Sequence, residues 1–149
     1  MNLEPIEIHT PCLFDTGVWS WVRDRRFPQL AGWFDDLASS GLVLVSDLVS
    51  IELMRATPNL DRANDLAQTL YGFEHLPISP IAVAEARDVQ MALAASGDHR
   101  TVSPLDILHA VTAADAGVPL IHYDRDYERI AAVTGLDQHW FVPLGSFAG

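Results

Sequence analysis

Short apolar runs alternate along the chain with longer stretches of helical periodicity. The runs are Cys12-Leu13-Phe14, Leu42-Val43-Leu44-Val45, Val118 to Tyr123 and His139 to Val142, with a weaker one at His75 to Ile78. This alternation commits the chain to an α/β fold with a mostly parallel central sheet flanked by helices, because parallel neighbours need a crossover between them. No repeat, low-complexity tract or Gly/Ser linker divides the 149 residues. The sequence therefore predicts one domain over 1–149, with its core from about 12 to 143.

Caps and breakers set the helix boundaries. A helical stretch starts at Val18, after Asp15-Thr16-Gly17, and another runs from Pro28 to Ser39 before Gly41. Ser46 or Asp47 can cap the helix that follows, which continues to about Phe73 with a break at Thr57-Pro58. Ser79-Pro80 and Ser103-Pro104 repeat one signal, an N-cap serine before a proline at the first helical position. They predict helices to Ser96 and Ala116, each followed by Gly, and Asp126 to Thr134 reads as a shorter helix.

Composition excludes several chemistries. The net charge is −11, from nine basic and twenty acidic residues, and all nine basic residues are Arg. A chain without lysine has no P-loop and no Schiff-base nucleophile. The single cysteine, Cys12, allows neither an internal disulfide nor a thiolate zinc site. No apolar run reaches the roughly 18 residues of a membrane helix, and Glu4 and Glu7 stand where a signal peptide is basic. A soluble cytoplasmic protein without membrane contact is the expectation.

The placement of the acids is the functional signal. Asp15 ends the first strand, Asp124 ends a later one, Glu52 lies in the first turns of the helix after Leu42–Val45, and Asp106 lies in the first turn after Ser103-Pro104. Ligands of open α/β sheets bind beyond the carboxyl ends of the strands, where these four carboxylates are expected to meet. Ala110 and Ala113, on the same helix face as Asp106, leave room for close approach. Each acid also has an ordinary alternative: a capping box from Ser103 to Asp106, an N-cap at Asp124, an exposed helical Glu52, a turn at Asp15. Their joint placement favours a cation site, since clustered carboxylates repel unless a divalent ion neutralises them. An all-oxygen donor set suits Mg²⁺ or Mn²⁺, and the matching chemistry is metal-assisted phosphodiester hydrolysis.

Leu13-Phe14-Asp15-Thr16, Ser50-Ile51-Glu52-Leu53, Asp106 to Ala113 and His122 to Ala131 stand in the order of a PIN domain. The chain resembles the VapC ribonuclease toxins of prokaryotic toxin–antitoxin pairs from about Leu13 to the closing His139-Trp140-Phe141-Val142-Pro143. The resemblance implies a Mg²⁺-dependent endoribonuclease, with Mn²⁺ a substitute, that cleaves RNA and is held inactive by a small antitoxin. It implies a homodimer or a toxin–antitoxin hetero-oligomer. Asp15, Glu52, Asp106 and Asp124 match the family's acidic positions, and Asp126 is an additional metal candidate beside Asp15, Asp106 and Asp124. Thr16 and Thr112 are candidates to support the site from behind, although a helical threonine can equally bond its own backbone. Gly17 departs from the family's usual small polar residue, which removes one hydroxyl but no carboxylate.

Two further readings concern the remaining polar residues. Trp19, Trp21, Arg23, Arg25 and Arg26 interleave aromatics with arginines directly after Asp15, a pattern able to stack bases and grip phosphates or simply to pack with a solvated edge. Trp33, Phe34 and Leu37 fall at helical spacing and read as core or a dimer face. The six histidines, including His109 and His122, lack metal-ligand spacing and read as structural. A haloacid-dehalogenase-like phosphatase is disfavoured, because it needs an acid where Gly17 stands and a lysine. A degenerate, non-catalytic PIN binding module and a structure-specific DNA nuclease using the same acids are the alternatives.

Overall fold

The computed structural model describes residues 3–147. Five strands, β1 (Cys12–Phe14), β2 (Val43–Ser46), β3 (Glu74–Leu76), β4 (Leu120–His122) and β5 (Gln138–Trp140), form one sheet. Their order is β3-β2-β1-β4-β5, and every pairing is parallel. Seven helices supply the connections: α1 (Thr16–Val22), α2 (Pro28–Ser39), α3 (Asp47–Arg55), α4 (Leu60–Leu70), α5 (Ala82–Ser96), α6 (Pro104–Ala116) and α7 (Asp126–Thr134).

The sheet separates two cores. Phe14, Val43, Val45 and Ile121 point to one face, where they meet Val18, Trp19, Leu30, Phe34, Leu53 and Leu66 of α1 to α4. Leu13, Leu44 and Leu120, their neighbours in sequence, point to the other, against Leu93, Ile107, Ala110, Ala113, Tyr127 and Ile130 of α5 to α7. That two-residue alternation is the strand period, and burial on both faces explains why the central runs are apolar throughout.

Most boundaries follow the caps. Pro28–Ser39, Pro104–Ala116 and Asp126–Thr134 are as the sequence predicts, and Ser46 caps α3 by accepting the Val49 N–H at 3.2 Å. The first helix begins at Thr16, two residues ahead of the expected Val18, because Asp15 already has its N-cap backbone. Strand β2 is displaced by one residue from the expected run, β3 and β5 start one residue earlier and end two residues earlier, and β4 occupies only the centre of its run.

Ser79-Pro80 does not start a helix. In both Ser-Pro pairs the hydroxyl accepts from the N–H two residues on. The Ser103 carbonyl then takes a helical bond from Ile107, whereas the Ser79 carbonyl takes a turn bond from Ala82. The chain thus closes a tight turn first, and α5 starts at Ala82 behind Ile81. Among the described residues, no helix is long and apolar enough to cross a membrane.

Candidate metal centre

The chain leaves β1 toward β2 on one side and β4 toward β5 on the other, so a crevice opens beyond the carboxyl ends of these adjacent strands. Asp15 stands at the end of β1 and Asp124 two residues beyond β4, while α3, α6 and α7 deliver Glu52, Asp106 and Asp126. Although Asp15 is the N-cap residue of α1 by backbone, its carboxylate makes no capping bond. It turns into the crevice instead, where it accepts the Tyr127 hydroxyl at 2.9 Å.

The donors form two neighbouring groups. In one, ligand atoms of Asp15, Glu52 and His109 lie within 4.8 Å of one another, and in the other so do those of Asp106, Asp124 and Asp126. Tyr127 joins them, since its hydroxyl lies 3.1 Å from Asp106 as well. Glu52 Oε1 accepts from Thr16 at 2.8 Å and from His109 Nε2 at 2.6 Å. With its Nε2 proton committed to Glu52, His109 orients that carboxylate rather than serving as a ligand. His122 is fully buried, accepts the Asp124 N–H on Nδ1 at 3.0 Å and donates from Nε2 to Gln138. Both nitrogens are therefore used in one neutral tautomer, and burial holds the ring's pKa below its ordinary value. Asp124 in turn accepts the Asp126 N–H at 2.9 Å, and Asp126 accepts from Arg129 at 2.8 Å.

Crowding and burial resist ionisation. Burial pushes Asp15 above the usual carboxylate range, against the lowering influence of His109 and of the Tyr127 hydrogen bond. Asp106 is pushed up to about 7, by burial first and then by the charges of Asp15 and Asp124. Asp126 moves up for the same two reasons, burial and the Asp124 charge, less the effect of Arg129. Burial and the same acids drive Tyr127 well above the ordinary phenol value, so its hydroxyl keeps its proton. Hard oxygen donors held close together, three of them raised first by burial and then by neighbouring charge, fit a divalent cation.

A pH experiment reads the raised Asp106 value, whose first cause is burial. The folded chain holds a proton on Asp106 more tightly than the unfolded chain does, so ionising it costs stability as pH rises from the ordinary carboxylate range through about 7. Asp106→Asn cannot ionise. Urea midpoints in EDTA are expected to show the variant gaining on wild type between about pH 5 and about pH 7, then levelling off. His122 contributes with the opposite sign, its neutral form being favoured in the fold, but equally in both proteins.

The expected residues do not all reach the crevice. Thr16 supports Glu52, but Thr112 is buried in α6 and donates to its own Leu108 carbonyl at 2.8 Å, so it is corrected to a structural residue. Asp106 forms no capping box, since Ser103 bonds Leu105 and Asp106 faces Tyr127. Arg26, an expected RNA contact, pairs with Asp24 at 2.7 Å on the surface and lies over Phe27. His109, read as structural from the sequence, lies inside the site. Its position one turn after Asp106, with Tyr127 beside Asp126, is the signal that could have found both.

Beside the crevice runs a groove of about 1020 Å³ between α1–α2 and α3–α4. Trp19, Phe34, Leu53, Leu66 and Phe73 line its floor, and Arg23, Arg25 and Arg62 join Asp24, Asp35 and Asp65 in its wall. Trp19 and Leu53 share α1 and α3 with Thr16 and Glu52, so the groove and the acid cluster are built on the same two helices. Its aromatics are mainly core: Trp19 and Phe34 are buried with ring centroids 4.8 Å apart, and only their edges reach the groove. Trp33 is half-buried and donates to the Ile6 carbonyl, while Trp21 stacks on Phe147 at 3.6 Å.

Residues 12–133 match the model of the PIN domain family. Ribonuclease VapC18 of Mycobacterium tuberculosis is 30% identical over 134 residues, covering 89% of this chain and 96% of that protein. Among solved structures, the DNA-bound VapBC of Salmonella typhimurium superposes with a TM-score of 0.71 at 17% identity, over 89% of this chain and 99% of that one. The promoter-bound VapBC2 of Rickettsia felis gives the same TM-score at 14% identity, over 88% and 98%. At such identities the structures speak to the fold alone.

Proposed function

Because the chain belongs to the PIN-domain family, and within it to the VapC group, we propose that it is a divalent-metal-dependent endoribonuclease, the toxic half of a cytoplasmic toxin–antitoxin pair. The observation that carries this reading is the convergence of Asp15, Glu52, Asp106, Asp124 and Asp126 from four chain segments on one crevice. Asp15, Asp106, Asp124 and Asp126 would hold the ion. When bound, Mg²⁺ (or Mn²⁺) supplies Lewis-acid stabilisation and an activated water for phosphodiester hydrolysis.

The chain's own residues supply orientation and proton transfer. Thr16 and His109 both donate to Oε1 of Glu52, which fixes the carboxylate and leaves Oε2 to take a proton from an attacking water. His122 fixes the backbone that carries Asp124. Arg23, Arg25 and Arg62 give an otherwise acidic protein a local grip on phosphates in the groove built on the helices that carry Thr16 and Glu52. With so few cations, non-specific RNA affinity is weak and selection rests on shape. Incubation with total RNA in Mg²⁺ is expected to yield fragments, and EDTA to stop their formation. Intact RNA in both would refute the reading.

The same groove suits the antitoxin. An apolar floor with arginines and acids on its walls matches an amphipathic peptide laid along it. Such a peptide excludes RNA, and an arginine reaching into the crevice would replace cation charge with a bidentate guanidinium. Co-expression with the small reading frame beside its gene is expected to give a stable, inactive complex. Recovery of free, active enzyme would favour a housekeeping nuclease. A homodimer, alone or within that complex, belongs to the same proposal.

A further inference from the structure

Tyr127 is fully buried, and its hydroxyl touches one carboxylate from each group of the cluster: Asp15 Oδ1 at 2.9 Å and Asp106 Oδ1 at 3.1 Å. We propose that this hydroxyl is a positioning group that locks Asp15 and Asp106 face to face, so that the cation site is preformed before an ion arrives. The inference rests on the metal-site reading above and adds to it a residue outside the acids.

Three observations support it. The acceptors come from separate elements, Asp15 from the end of β1 and Asp106 from α6, whose backbones bring both residues to the crevice without fixing their rotamers. Left alone, two carboxylates so placed repel and swing to other rotamers. A phenol between them offers the positive end of an O–H dipole to both and adds no charge that would compete with a cation. The ring is also held: Tyr127 packs among Leu13, Leu120, Ile107 and Ile130, with the His122 ring 4.9 Å away. Its hydroxyl position is set by the core, and the carboxylates take their places from it. Because only Oδ1 of each acid is engaged by Tyr127, the bridge leaves Oδ2 of both for an ion.

Tyr127→Phe keeps the ring and removes the donor. Mn²⁺ titration by calorimetry is expected to show about tenfold weaker binding than wild type. Circular dichroism in EDTA should be unchanged, and excess Mn²⁺ should restore RNA cleavage. A group that merely stabilised the fold would lower the melting temperature in EDTA without moving the affinity of the folded protein for the ion. Incorporating 4-aminophenylalanine at position 127, which donates an N–H from the same place, should recover the affinity and provides a second variant if the phenylalanine form folds poorly. Wild-type Mn²⁺ affinity in Tyr127→Phe would overturn the inference while leaving the metal site standing. Absence of Mn²⁺ binding in wild type as well would overturn both.

Discussion

Asp15→Asn is expected to reduce RNA cleavage by at least about 100-fold while leaving the fold as stable as wild type or more so. The residue is buried at the end of the central strand, where ionisation is already resisted by burial. The amide has the same shape and its oxygen still accepts from Tyr127, so packing is preserved. What disappears is a negative charge that helps to hold the ion. Asp106→Asn should behave alike for the same reason. Gel assays on a defined RNA, with melting curves recorded in EDTA, separate loss of chemistry from loss of structure. Cleavage by Asp15→Asn at the wild-type rate would remove the site assignment. A wild-type protein that binds its antitoxin but never cuts RNA would instead favour a degenerate binding module.

Millimolar Mg²⁺ or Mn²⁺ is expected to raise the melting temperature by several degrees. An ion that binds only the folded state stabilises it by about 2.7 kcal/mol at a hundredfold excess over its dissociation constant. For a domain of this size that corresponds to roughly 5–10 °C. The increment should shrink sharply in Asp106→Asn, which removes a proposed ligand and relieves the repulsion the ion would relieve. Equal shifts in variant and wild type would instead assign the effect to screening of the acidic surface, and Na⁺ at matched ionic strength would reproduce it.

The sequence discloses the elements and the acids because both depend on local chemistry. Pro28, Ser103-Pro104 and the glycine after Ala116 bracket helices through their own backbone preferences, and those boundaries are met. Ser79-Pro80 carries the same local signal without the same outcome, since the fate of one carbonyl bond depends on the next turn. The convergence of Asp15, Glu52, Asp106 and Asp124 was legible from strand ends and helix starts alone. What supports them was not. His109 reaches Glu52 across 57 residues of chain, and Thr112, on the same helix, has a hydroxyl that turns back to its own backbone. Which face of a helix meets a neighbouring element is a tertiary fact, and neither residue type announces it. The pairing of Arg26 with Asp24 two residues back was not legible either, being a side-chain choice rather than a backbone one.

The position of β1 between β2 and β4 also governs when the carboxylate cluster can first assemble during synthesis. Asp15 leaves the ribosome early, but its hydrogen-bonding partner Tyr127 is 112 residues behind it. At bacterial elongation rates that gap is roughly 6–20 s. Throughout it one edge of β1 has no neighbour, because β4 has not been synthesised. Asp106, Asp124 and Asp126 also emerge late, so a ribosome that stops before β4 releases a chain with two of the five acids or three, and no crevice to hold them. Truncated products thus lack the assembled cluster. A partner present during those seconds meets α1 to α4, with the groove between them, before the acids are complete.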